Sequence, residues 1–360
     1  MTYDLLVVGG GIVGLTIALR FLLKFPKTRV LIVEKEKNSI SHGTGRNSGV
    51  VHSGIYYDKG SLRARLCVSG SKQIIDYAES KNLWIDRCGK LLIPTSEKSL
   101  NSMELLIKRG VVNGVEVKQV DGNEALDLEP RVNVQFDAAL FVPITAVVNP
   151  KSIAQSLVED VKGMGGIIRY DTQVVGIDSR RGCVRLKHEY LEAAVVINAS
   201  GLHADQVAKK AGLDTRYRFQ PFKGKYWRHK DPQFRMHRLV YPIPDLNLPF
   251  LGIHTAHNQR GHVFFGPSST PAIGRENYNG VDNLKLAESI FLGGSLLWKL
   301  MRNTNGLRAL AIREAKLLGP NGVCQELSRL VRGVKAEQLE QSRQRVGIRS
   351  QIFDPASQHL

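Results

Sequence analysis

The sequence predicts an α/β fold in which a Rossmann-like nucleotide-binding domain is combined with a second, strand-rich domain. Three features carry that expectation. The first forty residues run strand, glycine turn, helix, strand and acid. Strand and helix patterns of the same kind return between residues 150 and 215, while 91–149 and 216–280 read as strand-rich insertions. The chain has 360 residues, 42% hydrophobic, with 34 glycines, which is enough for a sizeable core and many tight turns.

Tyr3 to Val8 is an apolar run that ends in glycines and reads as a buried parallel strand. Gly9, Gly11 and Gly14 follow at G-x-G-x-x-G spacing, and Ile12 to Leu23 is apolar at helical spacing. Each glycine has a physical task. Gly9 allows the tight turn, Gly11 lets backbone approach a pyrophosphate, and Gly14 lets the helix pack closely on the strand. The helix N-terminus offers unpaired N–H groups and a positive dipole end to phosphate. Arg29 to Val33 is the second strand. It ends at Glu34, whose carboxylate can accept from both ribose hydroxyls and would repel a 2′-phosphate.

FAD is favoured over NAD on two grounds. No second fingerprint follows, since Gly163-Met164-Gly165-Gly166 has the wrong spacing. The segment His42 to Gly54 is rich in small, hydrogen-bonding residues, suited to lie against a flat ring.

These residues resemble a known family. The glycine turn, the loop Thr44 to Tyr57, Leu66-Cys67-Val68, Cys88-Gly89-Lys90-Leu91, Asn198 to Asp205, Tyr241 to Asp245, Pro249 to His254, Gly266-Pro267 and Arg275 to Tyr278 look like the L-2-hydroxyglutarate oxidase family. That family lies in the D-amino-acid-oxidase-like superfamily of FAD enzymes. The resemblance runs the length of the chain. Its departures are Gly43 and Arg46, where Gln and His are usual, a missing Asp before Gly261, and Ser268-Ser269 for Asn-Ala. In the family a closing strand, glycine turn and helix follow the Gly347-Ile348-Arg349 stretch and cover the flavin. They lie beyond Leu360, so the flavin site is expected to be open on one side.

The resemblance implies a FAD-binding domain of the glutathione-reductase/D-amino-acid-oxidase type, built discontinuously from 1–90, 150–215 and part of 330–360. The substrate domain is expected from 91–149 and 216–280, and a helical basic segment from 281–345. Expected cofactor residues are Gly9, Gly11, Gly14, Glu34, Lys35, Thr44, Asn47, Ser48, Gly49, Val174 (through its backbone to adenine) and Gly201. The implied reaction is oxidation of a 2-hydroxy acid, L-2-hydroxyglutarate above all, with a hydride leaving the α-carbon and the hydroxyl proton going to a base. His52, just after the flavin loop, and His254 are the candidate bases, because imidazole titrates near neutrality. Tyr56, Lys223 and Arg275 are candidate carboxylate holders.

Net charge is +17, an attraction for anions: acidic substrates, nucleic acid or anionic lipid. From Lys299 to Arg349 there are eleven Lys or Arg against four Glu, next to the apolar Ile290 to Trp298. Such a segment could dock on a membrane and meet a quinone acceptor. The expected location is therefore the cytoplasm, peripheral on the inner face of the membrane. No aromatic-studded RNA motif accompanies the charge, so no specific nucleic-acid partner is expected. None of the four cysteines stands at C-x-x-C spacing, and no metal is expected. Rival readings are an amine, amino-acid or glycerol-3-phosphate oxidoreductase, an RNA-acting flavoprotein, and a non-catalytic truncated chain.

Overall fold

The computed structural model describes residues 2–213, 217–244, 252–303 and 307–353. The stretch Asp245 to Leu251 of the family motif lies outside them. The glycine fingerprint sits in a six-stranded sheet. Its order is Gly176–Asp178, Cys183–Arg185, Tyr190–Asn198, Thr2–Val8, Val30–Val33 and Ile167–Arg169. The last four strands run parallel, with Leu5 opposite Val195 on one side and Val30 on the other. Leu5, Leu6, Val7, Leu31 and Ile32 are fully buried, which is why these strands read as unbroken apolar runs.

The helix Ile12–Lys24 packs on this sheet with the helix Pro150–Gly163 beside it. Pro150 at its first turn and the Asn149 side chain, accepting from the Lys151 and Ser152 amides, start the second helix. Gly14 sits where the first helix crosses the sheet. A Cβ there would lie 2.0 Å from the Gly9 carbonyl oxygen, so only glycine permits the contact.

Three further sheets carry the rest. Val50–Val51, Ala146–Val148 and Ile85–Asp86 form the smallest. Leu239–Pro242, Lys90–Ile93, Ala139–Val142 and Lys118–Val120 form a four-stranded mixed sheet. The last sheet orders His254–His257, Val263–Gly266, Arg218–His229 and Thr270–Pro271, and Leu339–Phe353 also pairs with Arg218–His229.

Three expectations are corrected. The basic segment is helical only as far as Leu327, in Leu286–Met301, Leu307–Lys316 and Pro320–Leu327. From Leu339 it is a strand. That strand is rich in Arg, Gln and Ser and has no local strand signature; it is specified by pairing more than a hundred residues away, with Leu339, Val346 and Ile348 buried. In the 150–215 region, expected to carry strand and helix patterns, Thr172 to Val174 form no strand and line a cavity instead, and the strand begins only at Gly176. The 91–149 insertion also contains the helices Glu97–Asn101, Met103–Asn113 and Gly122–Leu128.

Candidate active site

A cavity of about 550 Å³ opens at the carboxyl ends of the parallel strands, the place where open α/β sheets bind ligands. Gly9, Gly11, Glu34, Lys35, Thr44, Val174 and Gly201 line it. Gly9 has φ +111°, and a Cβ there would lie 2.5 Å from the Ala199 carbonyl oxygen. Gly11 is the N-cap of the first helix and carries no side chain into the cavity. The Thr44 hydroxyl accepts from the Ile12 amide at 3.0 Å, so a residue from beyond the second strand caps this helix. Glu34 is held by two backbone amides, Gly10 at 2.8 Å and Glu36 at 2.9 Å. Each carboxylate oxygen keeps a lone pair for a ribose hydroxyl. These residues therefore fit the ADP half of FAD: a glycine cradle at a helix N-terminus, and a fixed acid at the end of the second strand.

One wall of the cavity is an ionic network. Lys35 Nζ donates to Glu36 and lies 2.7 Å from Glu276. Glu276 also accepts from His203 at 2.7 Å. His203 and Lys35 together hold the Glu276 carboxyl far below the ordinary range. The Val174 carbonyl, expected to face adenine, accepts from Lys210 Nζ at 3.0 Å while Val174 lines the cavity. Gly201, at φ +54°, opens the turn after the Tyr190–Asn198 strand.

Asn47, Ser48 and Gly49 shape the loop that leads inward. The Asn47 amide donates to the Gly43 and Thr44 carbonyls and its oxygen accepts from Gly49 N–H at 2.8 Å. Gly49 has φ +77°, with its Cβ position 2.3 Å from the Val148 carbonyl oxygen. The Ser48 hydroxyl accepts from Val50 N–H.

Beyond the loop lies a buried polar cluster. His52 and Tyr56 come from the loop, Lys90 from the strand Lys90–Ile93, Tyr241 from Leu239–Pro242, and His254 from the start of His254–His257. Lys90 and Tyr241 are fully buried. Lys90 Nζ donates to the Tyr56 hydroxyl at 3.2 Å and sits 4.6 Å from the centre of its ring. Burial lowers the Lys90 ammonium to about 7. Burial and the Lys90 charge lower His52 to about 3, and burial with the charges of His52, Arg349 and Lys90 lowers His254 to about 3. Both imidazoles are neutral at pH 7. His254 Nδ1–H donates to the Gly252 carbonyl at 2.8 Å, since a carbonyl can only accept. Its Nε2 is left as a lone-pair acceptor. His52 Nδ1 and the Tyr241 hydroxyl are buried with no protein partner.

The expected residues divide accordingly. His52, Tyr56 and His254 come together. Lys223 does not join them: it is buried, and its Nζ donates to Asn277 at 2.7 Å. Arg275 is corrected to a structural residue. Its fork is bidentate to Asp205 (2.7 and 2.8 Å), its Nε donates to Glu288 at 2.9 Å, and Nη1 also bonds the Leu202 carbonyl. No planar pair of donors remains for a substrate carboxylate. Glu276, its neighbour in sequence, is engaged by Lys35 and His203. Lys90, Tyr241 and Arg349 were not singled out from the sequence. A lysine inside the apolar run Lys90-Leu91-Leu92-Ile93 is the signal that could have found the first. Arg349 sits in a strand recognisable only by its pairing. It donates to the Ser269 hydroxyl at 3.1 Å.

A nucleotide cradle joined to a buried site with neutral imidazoles and cations defines a flavin-type oxidoreductase. Comparison with known proteins narrows this: residues 4–349 match the family model DAO, FAD dependent oxidoreductase, and the chain belongs to that family. It is 33% identical over 307 residues to the L-2-hydroxyglutarate dehydrogenase of Escherichia coli (strain K12), covering 84% of this chain and 72% of that protein. To the mitochondrial L-2-hydroxyglutarate dehydrogenase of Homo sapiens it is 31% identical over 297 residues, covering 78% and 64%. Among solved structures, the L-alpha-glycerophosphate oxidase of Mycoplasma pneumoniae with FAD bound matches with a TM-score of 0.75 at 20% identity, over 99% of this chain and 85% of that one. Glycine oxidase from Geobacillus kaustophilus matches with 0.71 at 18% identity, over 99% and 84%. These structural likenesses concern the fold.

Proposed function

We propose that this chain oxidises L-2-hydroxyglutarate to 2-oxoglutarate with FAD. The observation that carries the proposal is the convergence of two cations, the fully buried Lys90 and the half-buried Arg349, on the neutral acceptor His254, whose imidazole both depress. A dicarboxylate needs two cationic partners, and its hydroxyl needs a base. The relatives' names point to the same substrate. Lys90 and Arg349 hold the carboxylates, and His254 Nε2 takes the hydroxyl proton. FAD, when bound, supplies the acceptor for the α-hydrogen and its electron pair. The arriving dianion offsets the charges that depress His254, so its basicity rises when the proton must move. His52 packs edge-on against Tyr241 and Tyr241 stacks on His254, so the two rings shield the base from water. Within the cofactor site, Gly9, Gly11, Glu34 and Thr44 hold the ADP half, and Asn47, Ser48 and Gly49 shape the approach to the ring.

The test is anaerobic mixing of the FAD-loaded chain with L-2-hydroxyglutarate, following the flavin absorbance. Bleaching with the L- but not the D-enantiomer is expected. Bleaching by glycine or glycerol 3-phosphate in its place would overturn the substrate assignment.

We further infer that the electrons pass to a membrane quinone from a surface-bound enzyme at the inner face of the membrane. Among the described residues no helix is long and apolar enough to cross a bilayer. The helix Leu286–Met301, however, exposes Leu286, Ile290, Leu297 and Met301 along one face. With Lys285, Arg302 and Arg308 nearby, this is the amphipathic pattern of an interfacial helix. Co-sedimentation with anionic vesicles, lost in Ile290→Glu/Leu297→Glu, is the expected result. Equal binding by that variant would remove the basis for it.

A further inference from the structure

Beside the active-site cluster, three side chains of metal-ligand type converge from two strands and the turn that follows one of them. Asp86 ends the strand Ile85–Asp86, Cys88 lies in the turn before Lys90–Ile93, and His257 ends His254–His257. Their ligand atoms all lie within 4.8 Å of one another, and His257 Nε2 is 2.8 Å from Asp86 Oδ2. Cys88 and His257 are buried, whereas the Asp86 side chain is 44% exposed. His257 Nδ1 is buried and has no partner. One oxygen, one sulfur and one nitrogen ligand make a set that suits zinc and does not suit magnesium or calcium.

We propose that Asp86, Cys88 and His257 bind a zinc ion, with water completing the tetrahedron on the exposed side of Asp86. Zinc bonds of about 2.0–2.3 Å in a tetrahedron place ligand atoms roughly 3.3–3.8 Å apart. Asp86 and His257, 2.8 Å apart, would open slightly to reach that spacing, and all three ligand atoms already lie within 4.8 Å of one another. Zinc binds the thiolate and not the thiol, so binding displaces the Cys88 proton and affinity rises with pH. The second convergence of this kind, Glu36, His42 and Glu276, already holds a cation, because Lys35 Nζ contacts both carboxylates. A zinc ion at the first site would tie the turn two residues before Lys90 to the strand that carries His254. It would thus brace the active-site walls without touching substrate.

The experiment is equilibrium dialysis of the FAD-loaded full chain against zinc chloride, with metal content measured after removal of loosely bound ions. One zinc per chain is expected in the wild type. Cys88→Ser and His257→Asn should each weaken binding at least about tenfold, and Cys324→Ser, at one of the three thiols outside the cluster, should leave it unchanged. Binding should release protons, and zinc should raise the melting temperature of the wild type, a readout that needs no variant. No retained zinc and no thermal shift in the wild type would overturn the proposal. So would retained zinc that both cluster variants bind as tightly as the wild type.

Discussion

The ring of Tyr241 lies stacked on the ring of His254, with centroids 3.8 Å apart and planes 16° from parallel. The two residues belong to different sheets, joined where the Val240 amide donates to the Thr255 hydroxyl at 2.7 Å. The stack and the bond from Nδ1 to Gly252 together fix the direction in which Nε2 points. Tyr241→Phe keeps the ring and should keep substrate reduction of the flavin within about threefold. Tyr241→Ala leaves a cavity in a fully buried position and should cost about 3–5 kcal/mol of stability. Stopped-flow reduction and urea unfolding of the two variants distinguish these effects.

His254→Asn should slow anaerobic reduction by L-2-hydroxyglutarate by about 10²–10⁴, the range for loss of a positioned base. Flavin content should be unchanged, since His254 lies outside the nucleotide cavity. Full-rate reduction in this variant would move the base to His52.

The lowered ammonium of Lys90 sets a pH dependence. Below about 7 Lys90 is charged and can hold a carboxylate; above it the charge is lost. kcat/KM should therefore fall as pH rises through about 7. Lys90→Arg, charged at every working pH, should abolish that limb even if its absolute rate is lower. A profile with the same limb in Lys90→Arg would assign it elsewhere.

Acid stability follows from the two buried imidazoles. His52 and His254 titrate near 3 when folded and near 6.5 when unfolded. Between those values the unfolded chain binds more protons, so stability falls as pH falls from 6.5 towards 3. Two such groups contribute a slope of at most about 2.7 kcal/mol per pH unit. Urea unfolding at pH 7 and pH 5 measures it, and His254→Gln should halve the contribution.

Arg275→Ala should behave as a folding variant. Removing the buried fork leaves the partly buried carboxylates of Asp205 and Glu288 without their partner, a loss of up to about 3–5 kcal/mol. KM for the dicarboxylate in the surviving folded protein should stay near the wild-type value. A selective rise in KM with unchanged stability would restore Arg275 to the substrate site.

Gly11→Val should abolish FAD binding, because its side chain would project from the helix N-cap beside Thr44, whose hydroxyl is 3.0 Å from the Cβ position. Flavin content after purification is the measurement.

What the sequence determined by itself is local. The strand, glycine turn, helix and acid of residues 3–34 are consecutive, so spacing and side-chain size alone specify the cradle and the position of Glu34 within it. The loop from Thr44 to His52 is legible for the same reason. The proposed catalytic cluster is different: His52, Lys90, Tyr241, His254 and Arg349 come from five separate segments. Their meeting depends on which strands pair, and strand pairing leaves no mark in local composition. Only the tertiary structure could show that Lys90 is buried beside Tyr56, or that Arg275 is spent on Asp205 and Glu288. An arginine's chemistry is the same wherever it stands; which carboxylate it meets is decided by packing between elements far apart in the chain.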